Sequence, residues 1–94
     1  MMIKSVPEYA YDSLVEQIRA FQDQLPDDHE VGIIAGGGGP AIHVTSVSGG
    51  DQMLAFRGQD QEGRSAVLIQ HYSQVSVFMT ALPKLADKAH RIGF

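Results

Sequence analysis

The segment LIQHYSQ, residues 68 to 74, holds the highest density of side chains that could bind a ligand. Gln70, His71, Ser73 and Gln74 offer hydrogen-bond donors and acceptors, and they follow an apolar run that is typical of a strand. Because ligands often bind where strands end, we predict that these four residues form a binding site. The alternative is that they satisfy backbone groups where the chain bends between two strands.

A glycine run at residues 36 to 41, GGGGPA, formally matches the fingerprint of dinucleotide-binding sites. That chemistry needs a helix after the glycines, so that its first amides meet the pyrophosphate. Here the β-branched stretch IHVTSV follows, and Pro40 removes an amide donor. The acidic residue expected about twenty positions further on would be Asp60, in a predicted turn. We therefore predict that the run turns the chain between two strands, and we expect no cofactor.

Other catalytic and metal-binding patterns are missing from the sequence. It contains no cysteine, which excludes disulfides, thiolate nucleophiles and cysteine zinc sites. His29, His43, His71 and His90 lack the helical spacing of roughly three to five residues that starts a zinc site, although His43 and His71 could meet across a sheet. The serines form no G-x-S-x-G elbow. We expect no catalytic residue and no metal, and we favour a non-enzymatic protein.

Composition is typical of one globular domain spanning residues 1–94. The chain is 44% hydrophobic and 19% charged, with a formal net charge of -4. Acidic residues crowd the first third, which disfavours a nucleic acid partner because its phosphates would be repelled. No stretch approaches about 18 consecutive apolar residues, and the first residues lack the apolar run of a signal peptide. We expect a cytoplasmic protein with no membrane partner.

Residues 7 to 25 have the apolar spacing of an amphipathic helix. Ser5 and Glu8 fit a capping box at its start, and Pro26 ends it because the residue before a proline is pushed out of helical geometry. The predicted stripe consists of Tyr11, Leu14, Val15, Ile18, Phe21 and Leu25.

Four short runs rich in valine and isoleucine follow the helix: EVGIIA, AIHVTSV, QMLAFRG and SAVLIQH. The joints GGGGP, SGGD and DQEG supply glycine for positive-φ positions. Joints this short favour antiparallel neighbours. The sequence therefore predicts an α+β fold, in which an N-terminal amphipathic helix packs on a four- to five-stranded antiparallel meander sheet.

The final third is harder to assign. VSVFMTAL, residues 75 to 82, alternates like a strand and also forms a helical stripe with Ser73 as N-cap. Its valines and phenylalanine favour a strand. The tail KLADKAHRIGF is predicted to form a single helical turn or to lie loose.

LIQHYSQVSVFMTALPK, DHEVG and the terminal RIGF together resemble a small bacterial protein family without an assigned function. The resemblance covers most of the chain, from the helix to the last residue. It implies a bacterial cytoplasmic protein and brings no catalytic residue with it.

At the level of fold, a helix followed by five short bent strands, with a tight turn at HYSQ, is similar to the Sm-like RNA chaperones. Those proteins form rings by edge-strand pairing and bind uridine-rich RNA on histidine, glutamine and aromatic side chains. That resemblance implies binding roles for Gln70, His71, Tyr72 and Gln74. The longer glycine loop and the acidic helix depart from the pattern.

Three functions from different classes follow. The first is a non-enzymatic interaction module that self-associates or binds a protein partner through an exposed sheet edge, since a meander leaves two edge strands. The second is an Sm-like RNA-binding ring protein. The third is a small-molecule-binding or catalytic domain that uses the His71 region, which would require a concave pocket with His71 in its wall.

Overall fold

The fold is one helix packed on a five-stranded antiparallel sheet, as the sequence predicts. The computed structural model describes residues 5–36, 41–84 and 91–94. Strand order across the sheet is β4-β3-β2-β1-β5, and every neighbouring pair is antiparallel. The elements are α1 (Val6–Asp23), β1 (His29–Ala35), β2 (Ile42–Gly50), β3 (Met53–Gln59), β4 (Ser65–His71), the 3-10 helix Tyr72–Gln74, and β5 (Val77–Pro83).

Helix α1 begins and ends close to the predicted residues. Ser5 is the N-cap, and its hydroxyl accepts a hydrogen bond of 3.3 Å from the backbone N–H of Glu8. Ile18 is fully buried at the centre of the apolar stripe, and Val15 is 7% exposed. Gln22 lies on the same face and is also 7% exposed. The apolar periodicity does not identify Gln22, because glutamine is ordinarily a surface residue.

The strands confirm the predicted series. The joints differ from the prediction in which residue adopts a positive φ. Residues 37–40 of the glycine run lie outside the described residues, but the pairing of Ala35 with Ile42 shows that a strand follows the run. In SGGD both glycines belong to β2, and Asp51 adopts the positive φ of 44°. Among the glycines of the joints that the structure describes, Gly63 of DQEG takes such an angle, with φ of 79°.

Residues 77 to 83 form β5, which confirms the strand interpretation of VSVFMTAL. The strand does not continue the meander beside β4. It pairs instead with β1, from His29 opposite Pro83 to Ala35 opposite Val77. Strands β4 and β5 are therefore consecutive in the sequence but lie at opposite edges of the sheet.

The short link between β4 and β5 requires a strongly curled sheet. In a flat sheet four strand spacings would separate the two edges by roughly 19 Å. The link, residues 72–76, includes the 3-10 helix, and a 3-10 helix rises only about 2 Å per residue. We infer that the sheet curls enough for one helical turn and two further residues to span the distance from the end of β4 to the start of β5.

Strand β2 changes partner along its length. Ile42 and His43 pair with β1, and the register with β3 then shifts between Val44 and Ser46. Such a bulge bends the strand away from its former neighbour. Beyond the bulge, residues 91–94 pair with β2 through a parallel bridge between Ser46 and Gly93. The predicted helical turn or loose tail therefore does not describe residues 91–94, and residues 85–90 lie outside the described part.

The core fills the space between α1 and the inner face of the sheet. Within the described ranges, no helix is both long and apolar enough to cross a membrane. The buried cluster comprises Ile18, Val31, Ile33, Ala35, Ile42, Val44, Val47, Leu54, Phe56 and Ile92.

Candidate functional site

The His71 ring organises a polar cluster at the end of β4. Its Nδ1 accepts the backbone N–H of Ser73 at 3.2 Å and lies 2.8 Å from the Ser73 hydroxyl. Its Nε2 lies 3.4 Å from Oε1 of Gln52. Because Nδ1 accepts a backbone N–H, we assign the proton of the neutral ring to Nε2, from the hydrogen bonds rather than from an observed hydrogen. His71 thereby caps the 3-10 helix.

The two other predicted residues complete this cluster. Nε2 of Gln70 donates to the backbone carbonyl of Gln74 at 3.4 Å. Oε1 of Gln70 is buried, and in the described part of the chain it has no hydrogen-bond partner. The rings of His71 and Tyr72 lie 4.5 Å apart, centroid to centroid, at 33°. The structure thus brings all four predicted residues together, with Gln74 contributing its backbone.

The contacts within the cluster fit the alternative role. A ring that caps a helical turn and a side-chain amide that holds the following carbonyl both shape the bend after β4. Gln52 joins the cluster from the β2–β3 turn, and its carbonyl accepts the Tyr72 N–H at 2.9 Å. The sequence gives no signal for Gln52, because its position depends on the β3–β4 register. Ligand binding by the cluster stays a prediction.

The cavity of about 150 Å³ under the start of α1 lies elsewhere. None of the four predicted residues lines it, so it is not the concave pocket that a His71-centred small-molecule site requires. Within the described residues, no three histidine, aspartate or glutamate side chains approach closely enough to hold a metal ion. The cavity lining is Pro7, Glu8, Tyr11, Asp12, Gly49, Gly50, Asp51 and Leu54.

The outer face of the sheet, opposite α1, exposes large apolar side chains on both outermost strands. On β4, Val67 is 51% and Ile69 is 60% exposed, while on β5 Phe78 is 63% and Leu82 is 39% exposed. Solvation of surfaces this apolar is unfavourable, and clusters of them often mark interaction sites. A polar band separates the two clusters, consisting of His43, Thr45, Ser48 and Arg57 on β2 and β3.

The outward edge of β4 carries the backbone groups of its odd-numbered residues. The backbone N–H of Asp60 donates to the carbonyl of Arg64, and the backbone N–H of Tyr72 donates to the carbonyl of Gln52. Both bonds belong to the β3–β4 register, in which Leu54 faces Gln70. Even-numbered residues of β4 therefore bond to β3. In an antiparallel ladder the intervening residues direct their N–H and C=O groups to the other side, so those of Val67 and Ile69 point away from the sheet.

The outward edge of β5 follows from the same argument. The backbone N–H of Gly36 donates to the carbonyl of Ser76, and the backbone N–H of Lys84 donates to the carbonyl of Asp28. These two bonds lie at the two ends of the β1–β5 register. Even-numbered residues of β5 therefore bond to β1, while Val77, Met79 and Ala81 direct their backbone groups outward. Pro83 has the same outward phase, so its missing N–H removes no bond to β1.

Comparison with known proteins gives no match: no family model fits this sequence, no curated protein is similar to it, and no solved structure shares its fold closely enough to match.

Proposed function

We propose that this protein is a non-enzymatic interaction module that self-associates through its two edge strands. The observation that carries the proposal is the coincidence of outward backbone groups with exposed apolar side chains on β4 and on β5. Val67 and Ile69 have both features on one edge. On the other edge, Phe78 and Leu82 flank the outward groups of Met79 and Ala81.

An edge strand of this kind is a template for pairing with another chain. In proteins that must stay monomeric, edge strands ordinarily carry lysine or an inward-pointing charge. Strand β4 has neither between Ser65 and His71. Pairing would bond the outward N–H and C=O groups and bury apolar surface at about 25 cal/mol per Å². Because the two edges differ, β4 of one copy would pair with β5 of the next.

The first test compares two valines of similar exposure. Val67→Lys places a charge on the β4 edge, whereas Val6→Lys places one at the start of α1, where Val6 is 64% exposed. We expect wild type and Val6→Lys to form the same oligomer by native mass spectrometry. Val67→Lys should weaken association at least tenfold. A wild-type protein that stays monomeric at high concentration would refute self-association.

The second test uses the phase of β5. Ala81→Pro removes only an outward N–H, as Pro83 already does two residues later, whereas Leu82→Pro removes a bond to β1. We expect Ala81→Pro to keep a cooperative melting transition and lose association, and Leu82→Pro to unfold at a lower temperature. Association that survives Ala81→Pro would show that β5 is not the interface.

An Sm-like RNA-binding ring is the second candidate. It is supported by the helix followed by five strands, the 3-10 helix between the two outermost strands, and the stacked rings of His71 and Tyr72 beside Gln70. The net charge of -4 opposes it. This candidate predicts a ring with nucleotide mass that high salt removes. A ring or dimer of protein mass alone, unable to bind a short oligouridine, would exclude it.

A further inference from the structure

The cavity of about 150 Å³ under the start of α1 is bordered by three parts of the fold. Tyr11 on α1 and Leu54 on β3 supply apolar lining, and the opposite wall is the end of β2 with the turn that follows, from Gly49 to Asp51. An engineered cavity of about this volume in another protein holds benzene, so this one has room for a ligand of about six non-hydrogen atoms.

Two glycines in the wall explain why the protein leaves this space unfilled. A Cβ at Gly49 would lie 2.9 Å from Cδ2 of the Tyr11 ring, so a larger residue there would displace the ring from the lining. A Cβ at Gly50 would meet nothing within 4 Å. The space between α1 and the end of β2 is therefore not occupied by side chains of the chain itself, although protein interiors are ordinarily close-packed.

Three carboxylates line the same cavity. Glu8 and Asp12 are four residues apart on α1, a spacing at which like charges repel each other, and Asp51 approaches from the turn. The three do not lie close enough together to hold one metal ion. Because Asp12 takes part in another contact, we assign recognition of a ligand to Glu8 and Asp51. Among the residues that the structure describes, neither of these two side chains has a hydrogen bond or an ion pair.

The start of α1 adds a partial positive charge, which by itself would attract an anion. It is equivalent to roughly half an elementary charge, and the Ser5 hydroxyl already accepts the backbone N–H of Glu8. The carboxylates of Glu8 and Asp51 together carry two full negative charges. The cavity as a whole therefore favours a cation with an apolar part.

We propose that this cavity is a binding site for a butylammonium group. Its ammonium, which donates three hydrogen bonds, would lie between the carboxylates of Glu8 and Asp51. Its alkyl part would pack against Tyr11 and Leu54, and the aromatic ring of Tyr11 can add a cation–π contact. The site is independent of the edge pairing proposed above, because its lining includes no residue of β4 or β5.

An NMR titration of the full chain with butylammonium chloride at constant ionic strength tests the proposal. We expect the backbone amide signals of Gly49, Gly50 and Leu54 to shift until they saturate, with a Kd in the millimolar range for so small a ligand. Neutral n-butanol has the same alkyl chain and should bind about tenfold more weakly. Shifts that never saturate, or equal binding of n-butanol, would overturn the proposal.

Asp51→Asn tests the assigned carboxylate with little change in shape. Asparagine tolerates the φ of 44° at this position, so the turn should keep its conformation. We expect binding of butylammonium to weaken about fivefold or more. The matched control is Asp27→Asn, which removes the same charge from an exposed residue outside the cavity and should change the Kd by less than about twofold. Equal weakening by both variants would indicate general charge attraction and refute the site.

Two sources carry a butylammonium group, a free alkylamine and the lysine side chain of another protein. Nα-acetyl-lysine methylamide presents the same group attached to a peptide backbone, and it is titrated in parallel. Saturable binding of both compounds would support the site and identify a lysine side chain as a ligand that fits. Binding of butylammonium alone would support the site and restrict it to free amines. Failure of both compounds to bind would refute the proposal and leave the edge pairing untouched.

Discussion

Ile92 donates its backbone N–H to the side chain of Gln22, and this bond of 2.8 Å joins residues 70 positions apart. It explains why a glutamine occupies the buried face of an otherwise apolar helix stripe. The amide oxygen of Gln22 satisfies a donor that would otherwise be buried without a partner, which is costly in a protein interior.

Replacing Gln22 should therefore destabilise the protein. In Gln22→Ala the N–H of Ile92 loses its acceptor, and we expect a loss of about 1–3 kcal/mol in the free energy of unfolding. Gln17→Ala is the matched control, because Gln17 is exposed on the same helix; its effect should stay within about 0.5 kcal/mol. Urea unfolding measures both, and equal effects would show that the buried bond contributes nothing.

Ile18 occupies the centre of the core and tests the packing of α1. Ile18→Asp places a carboxylate at a position with 0% exposure, and we expect the cooperative thermal transition to disappear. Val6→Asp introduces the same charge at an apolar residue that is 64% exposed and lies outside the β4 and β5 edges, and it should leave the transition largely unchanged. A melting curve of Ile18→Asp that matches wild type would contradict the burial of this face.

Gly58 lies opposite the bulge of β2, where the two backbones approach closely. A Cβ at Gly58 would overlap the carbonyl oxygen of His43, and backbone atoms cannot move aside as a flexible side chain can. We expect Gly58→Ala to cost about 3 kcal/mol or more. Gly50→Ala is the control, since a Cβ there meets nothing within 4 Å. Similar stability of the two variants in thermal unfolding would place the bulge elsewhere.

Asp60 fixes the β3–β4 turn and makes its stability depend on pH. Its carboxylate accepts the backbone N–H of Arg64 at 2.9 Å, the guanidinium of Arg64 at 2.8 Å and the N–H of Glu62 at 2.9 Å. The bond from the Arg64 backbone, with the others, holds the pKa of Asp60 below its ordinary value of 3.8. The native state therefore favours the ionised carboxylate.

A lowered pKa in the native state means that the unfolded state binds more protons in acid. The stabilisation by Asp60 should be complete above its ordinary pKa of 3.8 and disappear as the pH falls through the lowered native value. Asp60→Asn should be less stable than wild type near neutral pH, and the difference should shrink in that acidic range. Gln61→Asn, in the same turn, should give a curve parallel to wild type in urea unfolding.

Local patterns identified most of the fold. The helix stripe around Ile18 and the alternation of Ile42 and Val44 with His43 and Thr45 each reflect neighbours close in sequence, so periodicity was sufficient to predict them. The pairing of β5 with β1 was beyond such reasoning, because a strand at residues 77–83 has the same pattern whether it lies beside β4 or beside β1. The short joint before β5 favours pairing with β4, whereas in the structure β5 pairs with β1.

The candidate site divides in the same way. Gln70, His71, Ser73 and Gln74 are close in sequence, and they are also close in the structure. The sequence patterns did not identify Gln52 or the contact between Gln22 and Ile92, because Gln52 reaches His71 through strand register and Ile92 is 70 positions from Gln22. Neither relationship leaves a periodic trace in the sequence.

The pairing of the first strand with the last constrains when the protein can fold. β1 acquires its second neighbour only after Val77–Pro83 has been synthesised, and the β2 edge at Thr45–Val47 is covered only when Gly93 follows. Contacts between residues so distant in the sequence slow folding, because the intervening chain loses conformational entropy before the contact stabilises it. During synthesis, β1 and β2 would therefore emerge from the ribosome with open edges, and native closure would wait for the last residues of the sequence.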